Sequence, residues 1–184
     1  MAYYAADRCG NVGKLTRIAA AVADPEFRKK HPRKNPETTF LVLGGYADFI
    51  TSSTFVQGHG AITGLANVAP VRIQWAFSAS CWQLTGGQYA SMKLFKLSEA
   101  ATKDPSILPE AQRLQAILGR ADFTIAKTSI PGMKFLTEKL FGYGGSPRKP
   151  LPPIDPEDGR RLWDHPHVRV LINTERELSG KPIQ

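Results

Sequence analysis

The sequence predicts an α/β fold with a long helical tail, on three observations. The run Thr38-Thr-Phe-Leu-Val-Leu43 is β-branched and apolar without polar alternation and is closed by Gly44-Gly45, the pattern of a strand covered on both faces. A shorter run of the same kind, Gly60-Ala-Ile-Thr63, follows after one helical stretch. From Pro70 onward the apolar residues recur at helical spacing almost to the end of the chain. Strand, helix, strand and helical tail is the order of βα units in a parallel sheet or barrel. Two strands are too few for a complete parallel sheet, so the pattern is expected to be part of a larger fold.

Each element has a local reason. Met1–Asp7 is not among the two strands that can be read with confidence, and Tyr3 and Tyr4 read as packing residues or a frayed terminus. Leu15, Ile18, Ala19 and Val22 mark one face of a helix that opens at Asn11 or Gly13, with Asn11 as N-cap, and ends at Asp24-Pro25. Phe27 to Asn35 packs five basic residues and His31 into nine positions. Pro25, Pro32 and Pro36 make it a poor helix, and it reads as a solvated loop. Ala47 to Gln57 is expected to be a helix stopped by Gly58 at C′. A helical pattern runs from Pro70 to about Lys103, broken at Gly86-Gly87. Leu114, Ile117, Leu118, Ala121 and Ile125 mark the next helix, and Met133, Leu136, Leu140 and Phe141 another. Gly142 to Pro153 is too rich in Gly and Pro for regular structure, and Asp155 to about Leu178 is helical with a break at His165-Pro166. The whole is expected to be one domain, 1–184, with βα units in 1–102 and a helical region in 103–184.

Composition narrows the function. With 184 residues, 42% of them hydrophobic, the chain can bury a sizeable core, and its composition is not that of a disordered protein. The apolar runs fall far short of the roughly 20 residues of a membrane span, so no membrane partner is expected. The first residues lack both a basic segment and a long apolar stretch, so no secretory signal is expected; the compartment should be cytoplasmic, with a mitochondrial location also open. Cys9 and Cys81 lie far apart with no Cys-x-x-Cys spacing, which predicts neither a disulfide framework nor a zinc site. The net charge of +8, from 24 Lys and Arg against 16 Asp and Glu, invites a nucleic-acid reading. The basic segment lacks interleaved aromatics beyond Phe27, and no nucleic-acid partner is expected.

Three segments resemble one family: Cys9-Gly-Asn-Val-Gly-Lys-Leu-Thr-Arg17, Gly58-His-Gly-Ala-Ile-Thr-Gly-Leu-Ala-Asn-Val-Ala-Pro70, and Ile130-Pro-Gly-Met-Lys-Phe-Leu continuing to Gly142-Tyr-Gly-Gly-Ser-Pro-Arg-Lys-Pro-Leu-Pro-Pro153. They are similar to the pyruvate-type class I aldolases of the dihydrodipicolinate synthase and N-acetylneuraminate lyase family. The branch they resemble most is that of the 4-hydroxy-2-oxoglutarate or 2-keto-3-deoxy sugar-acid aldolases. The resemblance spans roughly residues 9–160 and implies the C-terminal half of the family fold, a partial (β/α)8 TIM barrel with a C-terminal helical extension. Thr39–Gly45 then looks like strand seven, Gly60–Thr63 like strand eight, and the chain after Pro70 like the last barrel helix plus the extension.

The family's chemistry uses a lysine that forms a Schiff base with the keto group of pyruvate, whose protonated imine stabilises the carbanion of C–C cleavage or formation. The resemblance places that lysine four positions before the Gly of the Cys-Gly-Asn turn. Ala6 stands there, and neither Ala5, Asp7 nor Arg8 replaces it. No catalytic residue is therefore assigned, and the chain is expected to be inactive alone. The substrate-binding residues implied are Gly44, Gly45, Tyr46, Ile62 and Thr63, because barrel active sites lie at the carboxyl ends of the strands. The glycines serve either close substrate approach or a tight turn. The backbone carbonyl of Ile62 would face the substrate and its side chain the core. The implied partners are a 2-oxo acid such as pyruvate and either a second copy of the chain or a complementary half-barrel. No cofactor and no metal are implied. The alternative is a non-catalytic oligomerisation module built on the same fold.

The other polar residues have plainer readings. Cys9, Gly10 and Asn11 could attract an anion or simply cap a helix, and Asn67 is expected to cap the helix after it. His59 reads as packing and Arg148 as a structural hydrogen-bonding residue. His165 and His167, two apart, do not share a helix face and are not expected to bind metal.

Overall fold

A computed structural model describes the main chain of residues 3–7, and residues 11–35, 37, 40–68 and 89–179. Cys9, Gly10, Cys81 and the first part of the helical pattern expected from Pro70 to Lys103 lie outside them, whereas its part after Gly86-Gly87 is a helix, Tyr89–Ala101. The chain divides into two compact units, Met1–Thr63 with Leu94–Ala116 and Gly64–Lys93 with Ile117–Gln184. Among the described residues no helix is long and apolar enough to cross a membrane.

The first unit is built on parallel pairing. Strand β1 (Tyr3–Asp7) runs beside β2 (Phe40–Gly44) in a five-residue register from Tyr3 opposite Phe40 to Asp7 opposite Gly44. Strand β1 adds to the two strands legible in the sequence. The stretch is too short and too weakly patterned to declare itself, and the pairing comes from chain more than 30 residues away. Helix α1 (Val12–Ala23) makes the crossover. It opens where Asn11 Oδ1 accepts the Lys14 N–H at 3.0 Å. Its apolar stripe seats Leu15 and Ala19 against Val42 and Phe49, with Val12, Ile18, Val22, Phe40, Tyr46 and Val56 packed around them. Leu15 and Val42 are fully buried, each worth about 2 kcal/mol of apolar burial.

The proline-rich basic stretch is partly helical, contrary to the expected loop. Helix α2 (Pro25–Lys30) has Pro25 in its first turn, where no N–H is needed, and Asp24 as cap, its Oδ1 accepting the Glu26 N–H at 2.9 Å. His31 and Pro32 follow its last turn.

After β2 the chain forms a 3-10 turn (Ala47–Phe49) and helix α3 (Ile50–Phe55). The start of this segment is held by Gln115 of α5 (Leu108–Ala126), whose Oε1 accepts the Thr51 N–H and whose Nε2 donates to the Ala47 carbonyl, both at 2.8 Å. Ser98 of α4 (Tyr89–Ala101) donates to Thr51 Oγ1 at 3.0 Å in the interior. Helix α3 ends at Phe55, two residues before the expected Gln57. Gln57, at φ +63°, takes the left-handed position, its N–H bonding Thr54 O at 3.1 Å, while the Gly58 N–H bonds Ser53 O at 2.7 Å. Gly58 is a glycine because a Cβ there would lie 2.7 Å from that same carbonyl oxygen.

The second unit holds the 3-10 turn Gly64–Asn67 and helices α6 (Ser129–Phe141), α7 (Pro156–Trp163) and α8 (Pro166–Ser179). Helices α6 and α7 approach closely through paired glycines: a Cβ on Gly132 would lie 3.1 Å from Leu162, and one on Gly159 the same distance from the Phe135 ring. Gly142, at φ +72°, closes α6. Asp155 Oδ1 caps α7 by accepting the Glu157 N–H at 2.8 Å. The expected break at His165-Pro166 separates α7 from α8.

Glu175 of α8 is 3% exposed. Its two carboxyl oxygens accept the Tyr89 N–H at 3.2 Å and the Ala90 N–H at 2.9 Å, so a side chain from the last helix caps the first turn of α4. Burial pushes this carboxyl up to about 7, against the two N–H donors, which lower it.

Candidate functional site

The residues named as substrate-binding lie at the carboxyl end of β2 and of the segment beside it. The Gly60–Thr63 run is not a full strand: it makes one parallel bridge, Ala61 to Gly44. Gly60, at φ +129°, breaks the extended repeat. His59 takes part in the pairing instead. Its N–H donates to Val42 O at 2.7 Å and its ring Nδ1 accepts the Val42 N–H at 3.1 Å, so the side chain replaces a backbone acceptor along β2. That is a more specific role than the packing expected for it.

Gly44 and Ile62 are brought together: the Gly44 N–H donates to Gly60 O at 2.9 Å, and Gly44 O accepts the Ile62 N–H at 2.8 Å. The glycine at 44 has a reason that neither sequence reading offered. A Cβ there would sit 2.7 Å from Cζ of Phe49, so its missing side chain makes room for a core ring. Gly45 and Tyr46 are half-buried, and Tyr46 packs on the core beneath β2 in extended conformation before the 3-10 turn. The Ile62 side chain is 51% exposed, which corrects its expected place in the core: its N–H is turned inward to Gly44, and successive side chains of an extended segment alternate. Thr63 is half-buried at the end of the segment.

Asp48 lies exposed in the 3-10 turn that follows. Partial desolvation raises its carboxyl above the ordinary value of 3.8, against its own backbone N–H, which lowers it. It was passed over in the sequence because a lone Asp after a Gly-Gly turn carries no spacing signal. Of the five residues, the structure thus brings Gly44 and Ile62 together by a main-chain hydrogen bond, with Gly45, Tyr46 and Thr63 next to them along the chain. None of these residues is a nucleophile suited to imine chemistry.

Elsewhere Asn11 caps α1 as expected. Asn67 donates to Gly64 O at 3.0 Å within its own turn. Arg148 O accepts the Leu151 N–H at 3.1 Å in the irregular segment. His165 and His167 do meet, contrary to expectation, with ring centroids 4.8 Å apart. His165 precedes α8 rather than lying on it, and its Nδ1 accepts the His167 N–H at 3.2 Å. Thr124 Oγ1 donates to Arg120 O, so its 3.1 Å contact with His167 Nδ1 is a hydrogen bond donated by that nitrogen. Among the described residues no group of three or more His, Cys, Asp or Glu is placed to hold a metal.

No protein-family model matches the chain. The L-threo-3-deoxy-hexylosonate aldolase of Aspergillus niger is 31% identical over 179 residues, which cover 92% of this chain and 46% of the relative. A mitochondrial protein of Emericella nidulans described as a 4-hydroxy-2-oxoglutarate aldolase is 30% identical over 173 residues, covering 94% and 43%. The chain therefore spans somewhat less than half the length of the curated relatives it matches. Among solved structures, the Sulfolobus solfataricus 2-keto-3-deoxygluconate aldolase in complex with D-KDPG superposes with a TM-score of 0.59 at 18% identity, over 97% of this chain and 47% of that one. A Thermus thermophilus protein described as a dihydrodipicolinate synthase gives 0.57 at 21% identity, over 94% and 45%. These neighbours are TIM-barrel proteins, and the likeness to them is one of fold. With curated relatives that are 2-keto-3-deoxy acid and 4-hydroxy-2-oxoglutarate aldolases and structural neighbours of the dihydrodipicolinate synthase kind, the chain fits a C-terminal fragment of the dihydrodipicolinate synthase and N-acetylneuraminate lyase family.

Proposed function

We propose that the chain carries the last βα units and the helical extension of a pyruvate-type aldolase barrel, with part of its 2-oxo acid pocket and without its nucleophile. The observation that carries this reading is Ala6. It lies on β1 opposite Leu43, in the strand that leads into the Asn11-capped helix, where the family resemblance calls for the Schiff-base lysine. A methyl group cannot form an imine, so Gly45, Tyr46, Ile62 and Thr63 would hold the carboxylate or keto end of a substrate such as pyruvate without converting it. Gly44 supports the same pocket by admitting Phe49. The test is incubation of the pure chain with pyruvate and borohydride, followed by mass measurement. The expected mass is unchanged, and a stoichiometric adduct on one lysine would overturn the proposal.

A second reading, an interaction module in which sheet edges pair with another copy or with a complementary half-barrel, is favoured by β1. Among the described residues this strand pairs on one side only, with β2. Light scattering should then report an assembly larger than one chain. A stable, cooperatively unfolding monomer would exclude this second reading and leave the first untouched.

A further inference from the structure

The basic segment after α1 plays no part in the reading above, and in the first unit it walls a hollow of about 550 Å³ at the start of β2, the end opposite Gly44. The floor is apolar, made by Ile18 and Val22 of α1, Phe27 of α2 and Phe40 of β2. The rim is polar, made by the cations Arg28, Arg33 and Lys34 with His31 among them. A second hollow of about 280 Å³ shares Val22, Arg28, Arg33 and Phe40 with the first and adds one acidic side chain, Glu37.

Three of the rim residues are fixed by contacts of their own. Arg28 Nε donates to the Val22 carbonyl at 2.7 Å, in the last turn of α1, which sets the guanidinium against the negative end of that helix. The Arg33 guanidinium lies 5.8 Å from the centre of the Phe40 ring. The His31 ring packs 4.7 Å from that of Phe27, which stays 40% exposed. The volume falls within the roughly 300–1,000 Å³ of small-molecule sites. A bare anion would use the rim and leave the floor wet, whereas a neutral apolar molecule would fill the floor and make no use of Arg28 and Lys34. A compound with a flat or acyl apolar body and one anionic headgroup satisfies both.

We propose that this hollow binds a small amphipathic organic anion, its body on Ile18, Phe27 and Phe40 and its phosphate or carboxylate held by Arg28 and Lys34. The proposal needs no aldolase chemistry and stands or falls separately from it. The test is calorimetric titration of the full chain with naphthyl phosphate, naphthol, inorganic phosphate and a short single-stranded oligonucleotide. Naphthyl phosphate should bind saturably and at least about tenfold more tightly than naphthol or inorganic phosphate, the affinity that both halves of the site add together. Ala21→Trp, on a wall of the same hollow, should weaken that binding about tenfold by filling the space without removing charge. Equal affinities for naphthyl phosphate and inorganic phosphate would overturn the proposal, as would undiminished binding to a folded Ala21→Trp chain. Tighter binding of the oligonucleotide than of naphthyl phosphate would also overturn it and assign the segment to nucleic acid. Should Ala21→Trp fail to fold, the ranking of the probes on the unaltered chain decides alone.

Discussion

Replacing Glu175 by Gln should change how stability depends on pH more than it changes stability itself. The carboxyl moves from an ordinary value of 4.5 to about 7 on folding, a rise of about 2.5 units. At 1.36 kcal/mol per unit this amounts to about 3 kcal/mol. A carboxyl with a raised pKa holds its proton more tightly in the folded chain. Its contribution to stability is therefore fully present below about pH 4.5 and is lost as the pH rises through about 7. The amide of the Glu175→Gln variant would remain neutral throughout. Its oxygen can still accept one of the two α4 N–H groups, but its NH2 faces the other, a fixed cost of about 1–2 kcal/mol. Urea unfolding of both proteins, followed by far-UV circular dichroism between pH 4.5 and 8, reads the difference directly. The other titrating groups cancel in it. The native protein should lead at pH 4.5, and the difference should move by about 3 kcal/mol in favour of the variant by pH 8. A difference that stays flat across this range, or moves the other way, would refute the account of Glu175 as a desolvated cap.

Two further sets of substitutions probe the turn region of the first unit. Gly44→Ala should cost about 2 kcal/mol by forcing a methyl into the Phe49 ring, and Phe49→Leu added to it should recover part of that loss; thermal unfolding of the single and double variants reads both. Gln57→Gly should stabilise by about 1 kcal/mol, since glycine alone occupies the left-handed position freely, whereas Gly58→Ala should destabilise by a similar amount against Ser53 O. In a chain of this length each should move the melting temperature by about 2–4 °C, in opposite directions.

Local chemistry was readable where it acts over a few residues. Asn11, Asp24-Pro25, Gly142 and Asp155-Pro156 each mark a helix end in the sequence, and each bounds one in the structure. The run ending at Leu43 announces β2 because it is apolar on both faces. The basic segment was misread because its prolines were counted as breakers, although Pro25 sits where a helix accepts one. Contacts between distant residues were the hidden part. Nothing near Met1–Asp7 says that it will pair with β2, and nothing near Gln115 or Glu175 says that they will hold helix starts 64 and 85 residues away. At the strand end the family motif found the right neighbourhood, Gly44 beside Ile62. It could not show that Gly44 is spent on Phe49 or that the Ile62 side chain faces solvent, because these depend on how the turn after β2 folds back.

The reach of Glu175 also orders events in time. The first turn of α4 is emerging chain long before its cap exists, since the carboxyl that satisfies the Tyr89 and Ala90 amides is made 86 and 85 residues later. Until α8 has docked, the start of α4 must exchange its amide protons with water as a frayed end does. Closure of that end is thus a late, non-local event, and any shortening of the chain before residue 175 leaves the fraying permanent.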